Sequence, residues 1–322
     1  MKARLFWPHP FATLSGLSVS VTSCGPGTGV TVILDFERFN SEARRMATVK
    51  IEESVVEYLL DGAGPGLVLV HGTGGSAEAN WGHLVNRFAR HWTVIRPNYS
   101  GSGNTTDVGG SLSVEQLAEQ VLAAAKAGGK VPFDLVGFSL GAAVAAMVAA
   151  RAPDLVRSLV LIAGFADSTD SYLKLEFSLW QELIAHNRLA LARLFLLTGL
   201  SHSFLANLSE AEIEASVSSI VAGTNWDGLA RQVELDLTLD IREEVRSITR
   251  PTLVVGCTHD CIVPVKHSKR LAATIPCSEY TELATGHLAA LEEPDALAIV
   301  IETFLIRGRE TKSVQALEQF NR

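Results

Sequence analysis

A doubly wound, mostly parallel α/β sheet with a helical insertion is the fold class this sequence predicts, and three observations predict it. Short, continuous apolar runs such as Leu67-Val68-Leu69-Val70 recur between helix-forming stretches, the mark of strands covered on both faces. One such run, Asp134-Leu135-Val136-Gly137-Phe138, ends at Ser139 and passes straight into the alanine-rich helix former after Gly141. Strand–helix–strand spacing of this kind implies parallel strands joined by right-handed crossovers. Residues 166–247 then break the rhythm with helical pattern alone, before strand character returns.

In chain order, residues 48–52 and 55–60 read as an antiparallel hairpin, and Asp61-Gly62-Ala63-Gly64-Pro65-Gly66 as a turn cluster. The apolar strand that follows ends in His71-Gly72-Thr73-Gly74-Gly75. A helix is expected over residues 81–90 and a strand over 92–96, leading to Asn98-Tyr99-Ser100-Gly101-Ser102-Gly103. Ser113 with Gln116 reads as a capping box opening the next helix, and Ser209 with Glu212 as a second. Residues 156–163 are another buried strand. The insertion should hold about four helices, one of which carries Leu173, Phe177, Trp180 and Ile184 on a single face. Residues 251–256 and 279–283 are the last strands, residues 293–305 a terminal helix, and the polar tail after Gly308 is expected to fray. The expected organisation is therefore a core of residues 46–165 and 248–307, an insertion at 166–247, an N-terminal extension at 1–45 and a tail at 308–322.

Composition narrows the function classes. An apolar fraction of 47% excludes global disorder, and a net charge of −8 without a long basic run argues against a nucleic-acid binder. Cys24, Cys257, Cys261 and Cys277 show no metal-site spacing and read as free thiols of a reducing cytosol. The most hydrophobic window, residues 135–150, is too short for a membrane span and is broken by the Gly-Ser-Gly turn. Met1-Lys2-Ala3-Arg4-Leu5 has the charged start of a leader and Val21-Thr22-Ser23-Cys24 a trace of a lipoprotein cleavage site. Pro8 and Pro10 interrupt the apolar core between them, so residues 1–24 are read as part of a loose extension and the expected location is cytoplasmic.

The chemistry centres on Gly137-Phe138-Ser139-Leu140-Gly141. A serine on so sharp a turn needs neighbours without a β-carbon two residues away on each side, and the turn aims the free N–H groups of the following helix at its hydroxyl. This motif, together with His71-Gly72 after an earlier strand, Asp260 just past a late strand and His287 near the C-terminus, resembles the α/β-hydrolase superfamily over residues 47–307, in the family's order Ser…Asp…His. Within it the chain is similar to bacterial serine esterases, lactonases and thioesterase-like members, some of which serve in secondary metabolism.

The resemblance implies named roles. Ser139 is the expected nucleophile, which needs a base to take its proton. His287 is that base, since an imidazole titrates near neutrality. Asp260 would hold the other ring nitrogen, with Asp167 and Asp170 as alternative positions for the acid. The backbone N–H groups of Thr73 and Leu140 match the family's oxyanion-hole positions; the Thr73 hydroxyl is either a third donor or structural. His71 shapes its loop, and His259, on the acid's loop, has no catalytic role. Phe177 and Trp180 are candidates for a substrate wall, against the simpler reading of packing. Two departures stand out: many relatives carry Asp-x-Arg-Gly-x-Gly where this chain has Asn98 to Gly103, and a serine nucleophile excludes the epoxide hydrolases and haloalkane dehalogenases. Gly101-x-Gly103 is too weak for a dinucleotide site.

The expected function is a serine hydrolase cleaving an ester, lactone or thioester of a fairly apolar small molecule through an acyl-enzyme, with the insertion as a lid and no metal or organic cofactor. The alternatives are a lyase on the same scaffold, in which His287 removes a proton and an acyl group leaves, and a non-catalytic binding module, which has no need of all three triad residues. Expected partners are a small-molecule substrate, with no nucleic acid and no membrane; oligomeric state is left open.

Overall fold

The computed structural model describes residues 45–276 and 278–320; the expected N-terminal extension, with its leader-like residues 1–24, lies outside them except for Arg45. The first half of the core runs β1 (Arg45–Ile51), β2 (Ser54–Asp61), β3 (Gly66–Val70), α1 (Ala77–Trp81), α2 (Val85–Phe88), β4 (Thr93–Pro97), α3 (Val114–Ala127), β5 (Phe133–Phe138), α4 (Leu140–Arg151) and β6 (Val156–Ile162). The insertion holds α5 (Ser171–His186), α6 (Arg188–Gly199), α7 (His202–Leu205), α8 (Glu210–Gly223), α9 (Trp226–Thr238) and α10 (Arg242–Arg246). The chain then completes the core with β7 (Thr252–Cys257), α11 (Lys266–Thr274), β8 (Ser278–Leu283), α12 (Ala289–Glu292) and α13 (Pro294–Phe320).

The eight strands form one sheet in the order β1-β2-β4-β3-β5-β6-β7-β8. β1 and β2 pair antiparallel, as do β2 and β4, and every later pairing is parallel. The continuous apolar runs are explained by burial on both faces. Leu135, Leu159, Leu161 and Val254 point to one core layer, with α3 and α4; Val136, Val160, Ile162 and Val255 point to the other, with α2 and α13. Strand alternation sends successive side chains to opposite faces, and here both faces are dry.

Three expectations need correction, and one helix was not foreseen. The helix expected over residues 81–90 is two short helices, α1 and α2, with Gly82, a poor helix former, at the break and Ser76 capping the first from Ala79 N–H at 3.1 Å. The insertion holds six helices; α7 and α10, of four and five residues, are too short to leave a periodic signature. α11 was not read from the sequence, because His267 and Ser268 occupy buried positions where apolar residues are expected. α13 continues to Phe320, past the expected fraying point. Of the two expected capping boxes, Ser209 with Glu212 forms the full reciprocal pair, whereas Ser113 supplies only its own half, its Oγ accepting from Gln116 N–H at 3.1 Å. No helix among the described residues is long and apolar enough to cross a membrane.

Candidate active site

The parallel strands β5, β7 and β8 end at one edge of the sheet, and the loops leaving them carry Ser139, Asp260 and His287. Ser139 stands between β5 and α4 with φ 56° and ψ −124°, a conformation that costs free energy for any residue with a side chain. Packing enforces it. A β-carbon on Gly137 would lie 2.1 Å from the Gly141 carbonyl oxygen, and one on Gly141 would lie 2.2 Å from that of His71, so neither position tolerates a side chain. The glycines of the motif are thus required by close approach, as the sequence suggested.

The three side chains meet. His287 Nδ1 lies 2.6 Å from Asp260 Oδ2, and His287 Nε2 lies 3.0 Å from Ser139 Oγ. A carboxylate only accepts, so Nδ1 carries the ring proton and Nε2 is left to accept from the serine hydroxyl. Asp260 Oδ1 is held by the N–H groups of Ile262 at 2.9 Å and Val263 at 2.8 Å, which fixes the carboxylate's orientation. All three residues are buried. The Phe138 ring packs against His287, with centroids 4.8 Å apart.

The alternative acids are engaged elsewhere. Asp167 pairs with Arg270 at 2.8 Å and Asp170 with Lys266 at 2.5 Å, both on α11, and neither reaches His287. His259 is exposed and uses its backbone N–H on Thr285 O. His71 is fully buried and stacked on Tyr99 at 3.9 Å; burial lowers its pKa to about 4, so it is neutral and braces the loop.

The loop after β3 lies against Ser139: a β-carbon on Gly72 would sit 3.0 Å from Ser139 Cβ. Gly72 N–H donates to Asn80 Oδ1 at 2.9 Å, Gly74 N–H to Gln232 Oε1 at 2.8 Å, and Gly75 N–H to Gly72 O at 3.1 Å. Thr73 N–H has no partner among the described residues. Leu140, the first residue of α4, likewise has no carbonyl one turn back to bond. The Thr73 hydroxyl donates to Asp236 Oδ2 at 2.6 Å.

The missing Asp-x-Arg-Gly-x-Gly anchor is replaced rather than lost. Asn98 donates to the buried carboxylate of Glu57 at 2.6 Å and accepts from Ala77 N–H at 2.7 Å, while Asn104 donates to the same glutamate.

The insertion touches the loops that carry Asp260 and His287 and the loop after β3. Glu292 accepts from Ser201 N–H at 2.7 Å and from Gly286 N–H at 3.0 Å, tying the end of α6 to the residue before His287. Gly286 allows this contact, since a β-carbon there would lie 2.5 Å from Ser201 N. Tyr172 OH donates to the carbonyl of Cys261 on the Asp260 loop. α9 reaches the Thr73 loop through Gln232 and Asp236. Phe177 and Trp180 are buried in an aromatic run with Phe165 and Phe195, at centroid distances of 5.9 Å from Phe165 to Phe177 and 4.6 Å from Trp180 to Phe195. Beside them Glu176 accepts from Trp180 Nε1 at 3.0 Å; burial pushes its carboxyl above the usual range. Asn80, Glu176, Gln232, Asp236 and Glu292 were missed by sequence reasoning, and no local motif marks any of them. Among the described residues, no group of three or more His, Cys, Asp or Glu side chains is arranged to hold a metal ion.

Comparison with known proteins bears on the family and the fold. Residues 65–294 match the family model described as the alpha/beta hydrolase fold. The chain is 50% identical over 261 residues to a protein of Xenorhabdus hominickii named pyrrolizixenacetamide deacetylase, an alignment covering 81% of this chain and 98% of that one. Among solved structures it is similar to a hydrolase from Pseudomonas aeruginosa, at 25% identity and TM-score 0.71, covering 81% of this chain and 98% of that one. It shares its fold with the enol-lactonase of Burkholderia xenovorans, at 23% identity and TM-score 0.72, covering 81% and 100% of the two chains.

Proposed function

The chain belongs to the α/β-hydrolase fold family, and from that premise we propose that it is a serine hydrolase that removes a short acyl group from an amide or ester of a small molecule. The reading rests on one observation: Ser139 Oγ lies 3.0 Å from His287 Nε2, whose Nδ1 lies 2.6 Å from the buried Asp260 carboxylate. The short acyl group and the amide come from the relative named as an acetamide deacetylase, and extend the ester, lactone and thioester expected from sequence.

In this mechanism the Ser139 oxygen bonds to the acyl carbon as its proton passes to His287 Nε2. Asp260 keeps the ring oriented and offsets the imidazolium charge. The oxyanion of the tetrahedral adduct faces the N–H groups of Thr73 and Leu140, both left without a partner by the fold. His287 returns the proton to the departing nitrogen or oxygen, leaving the acyl group on Ser139. Water then repeats the sequence, releasing the carboxylic acid and restoring the serine. The insertion serves as a cover that excludes water and selects the substrate.

The test is turnover of matched N-acetyl and O-acetyl compounds in ¹⁸O-labelled water. Hydrolysis at the acyl carbon puts solvent oxygen into the released acetate, in step with the free amine or alcohol. Acetate released without solvent oxygen would replace this reading with elimination.

A further inference from the structure

We infer that Asp236, on α9 of the insertion, is a positioning residue for the oxyanion hole, acting through the Thr73 hydroxyl to hold the Thr73 N–H toward the reacting carbonyl. The inference rests on the proposed role of Thr73 as an oxyanion donor. Asp236 is completely buried, and its Oδ2 accepts from Thr73 Oγ1 at 2.6 Å. Its Oδ1 has no hydrogen-bond partner among the described residues. A carboxyl group in so dry a place is costly and is not explained by packing, since an apolar side chain would fill the space more cheaply. Its one side-chain hydrogen bond among the described residues is to the residue whose N–H is unpartnered.

The surroundings make the contact specific. One turn earlier on α9, Gln232 Oε1 takes the Gly74 N–H at 2.8 Å, and its amide donates to Ser100 O at 3.1 Å and Ser102 Oγ at 3.0 Å. Asn80 takes the Gly72 N–H at 2.9 Å. With both flanking peptides held, Thr73 has two remaining handles, its hydroxyl and its N–H. Asp236 secures the first, which fixes the plane of the second.

Burial raises the Asp236 pKa to about 8, so near neutral pH the group is an uncharged acid. The titratable groups around it are Tyr99, raised well above its ordinary value by burial and then by Asp236's charge, and His71, which stacks on Tyr99 and is neutral. An uncharged acid holds Thr73 without opposing the oxyanion. Ionisation as pH rises through this value would place an uncompensated negative charge beside the hole and slow the reaction.

The experiment measures kcat and KM from pH 6 to 10 for the wild type and for Asp236→Ala, Asp236→Asn, Thr73→Val and Thr73→Ser, with fluorophosphonate labelling of Ser139 alongside. Asp236→Ala and Thr73→Val should lower kcat by about tenfold to a hundredfold with KM within about threefold, because a misaimed donor is lost in the transition state rather than in binding. Thr73→Ser, which keeps the hydroxyl, and Asp236→Asn, which keeps a neutral acceptor, should stay within about threefold of wild type. The wild-type kcat should decline above about pH 8, and Asp236→Asn should lack that decline. Wild-type kcat in Thr73→Val, or failure of Thr73→Ser to restore it, would overturn the inference, and Thr73→Val carries the test even where Asp236→Ala does not fold. Either result with Ser139 still labelled leaves the serine mechanism standing; loss of labelling in the wild type would remove that mechanism instead.

Discussion

Ser139 owes its geometry to its neighbours rather than to its own preference. Gly137 and Gly141 let backbone carbonyls approach to distances that any β-carbon would forbid, and this crowding holds the serine at φ 56°. Under the proposed mechanism, Ser139→Ala should lower kcat by roughly 10⁴–10⁶ with little change in melting temperature, and His287→Ala by a similar factor. The double variant should be little worse than either single one, because the residues act as a unit. Additive losses in a kinetic comparison of the three would break that unit apart. These residues were legible in the sequence because each sits at a visible junction: a strand–turn–helix motif for Ser139, the loop after an apolar strand for Asp260, and the loop between the last strand and the terminal helices for His287. Asp236, Gln232 and Glu292 were not legible. Each is a polar residue on or beside a helix, which pattern reading sends to solvent, and the fold instead buries the first two against loops more than a hundred residues earlier in the chain.

At the scale of elements, the insertion is bonded to the functional loops at both ends of the site. α9 holds the Thr73 loop, and Ser201, after α6, is clamped through Glu292 to the peptide before His287. The stripe Leu173, Phe177, Trp180 and Ile184 was visible from helical periodicity, and all four residues are buried as that face requires. Periodicity reports that a face is covered and not by what, so core packing and a substrate wall look alike from sequence. If Phe177 and Trp180 are only packing, truncation to Ala should cost roughly 3–5 kcal/mol of stability and leave the dependence on acyl chain length parallel to wild type. If either side chain meets substrate, discrimination between chain lengths should flatten by up to about 0.8 kcal/mol per methylene. Denaturant melts paired with kcat/KM across acetyl, butyryl and hexanoyl compounds separate the two. The elements that escaped the sequence are those with weak periodicity: α7 and α10 for brevity, and α11 because its buried face includes His267 and Ser268.

Across the whole molecule, one eight-stranded sheet carries every residue of the proposed mechanism on loops at one edge, and 81% of the chain suffices to align with 98% of the Xenorhabdus relative. We therefore expect a chain beginning at Met46 to melt within about 2 °C of the full-length protein, roughly the shift that a loss of 1 kcal/mol produces in a domain of this size. A larger drop by calorimetry would show that residues 1–45 stabilise the core. The central claim is that Ser139 is the nucleophile, and the most direct measurement is intact-protein mass spectrometry after exposure to a fluorophosphonate, followed by peptide mapping. One adduct per chain, located on Ser139 and absent from Ser139→Ala, is the predicted result. An active enzyme that takes no adduct, or takes it on another residue, would contradict the claim.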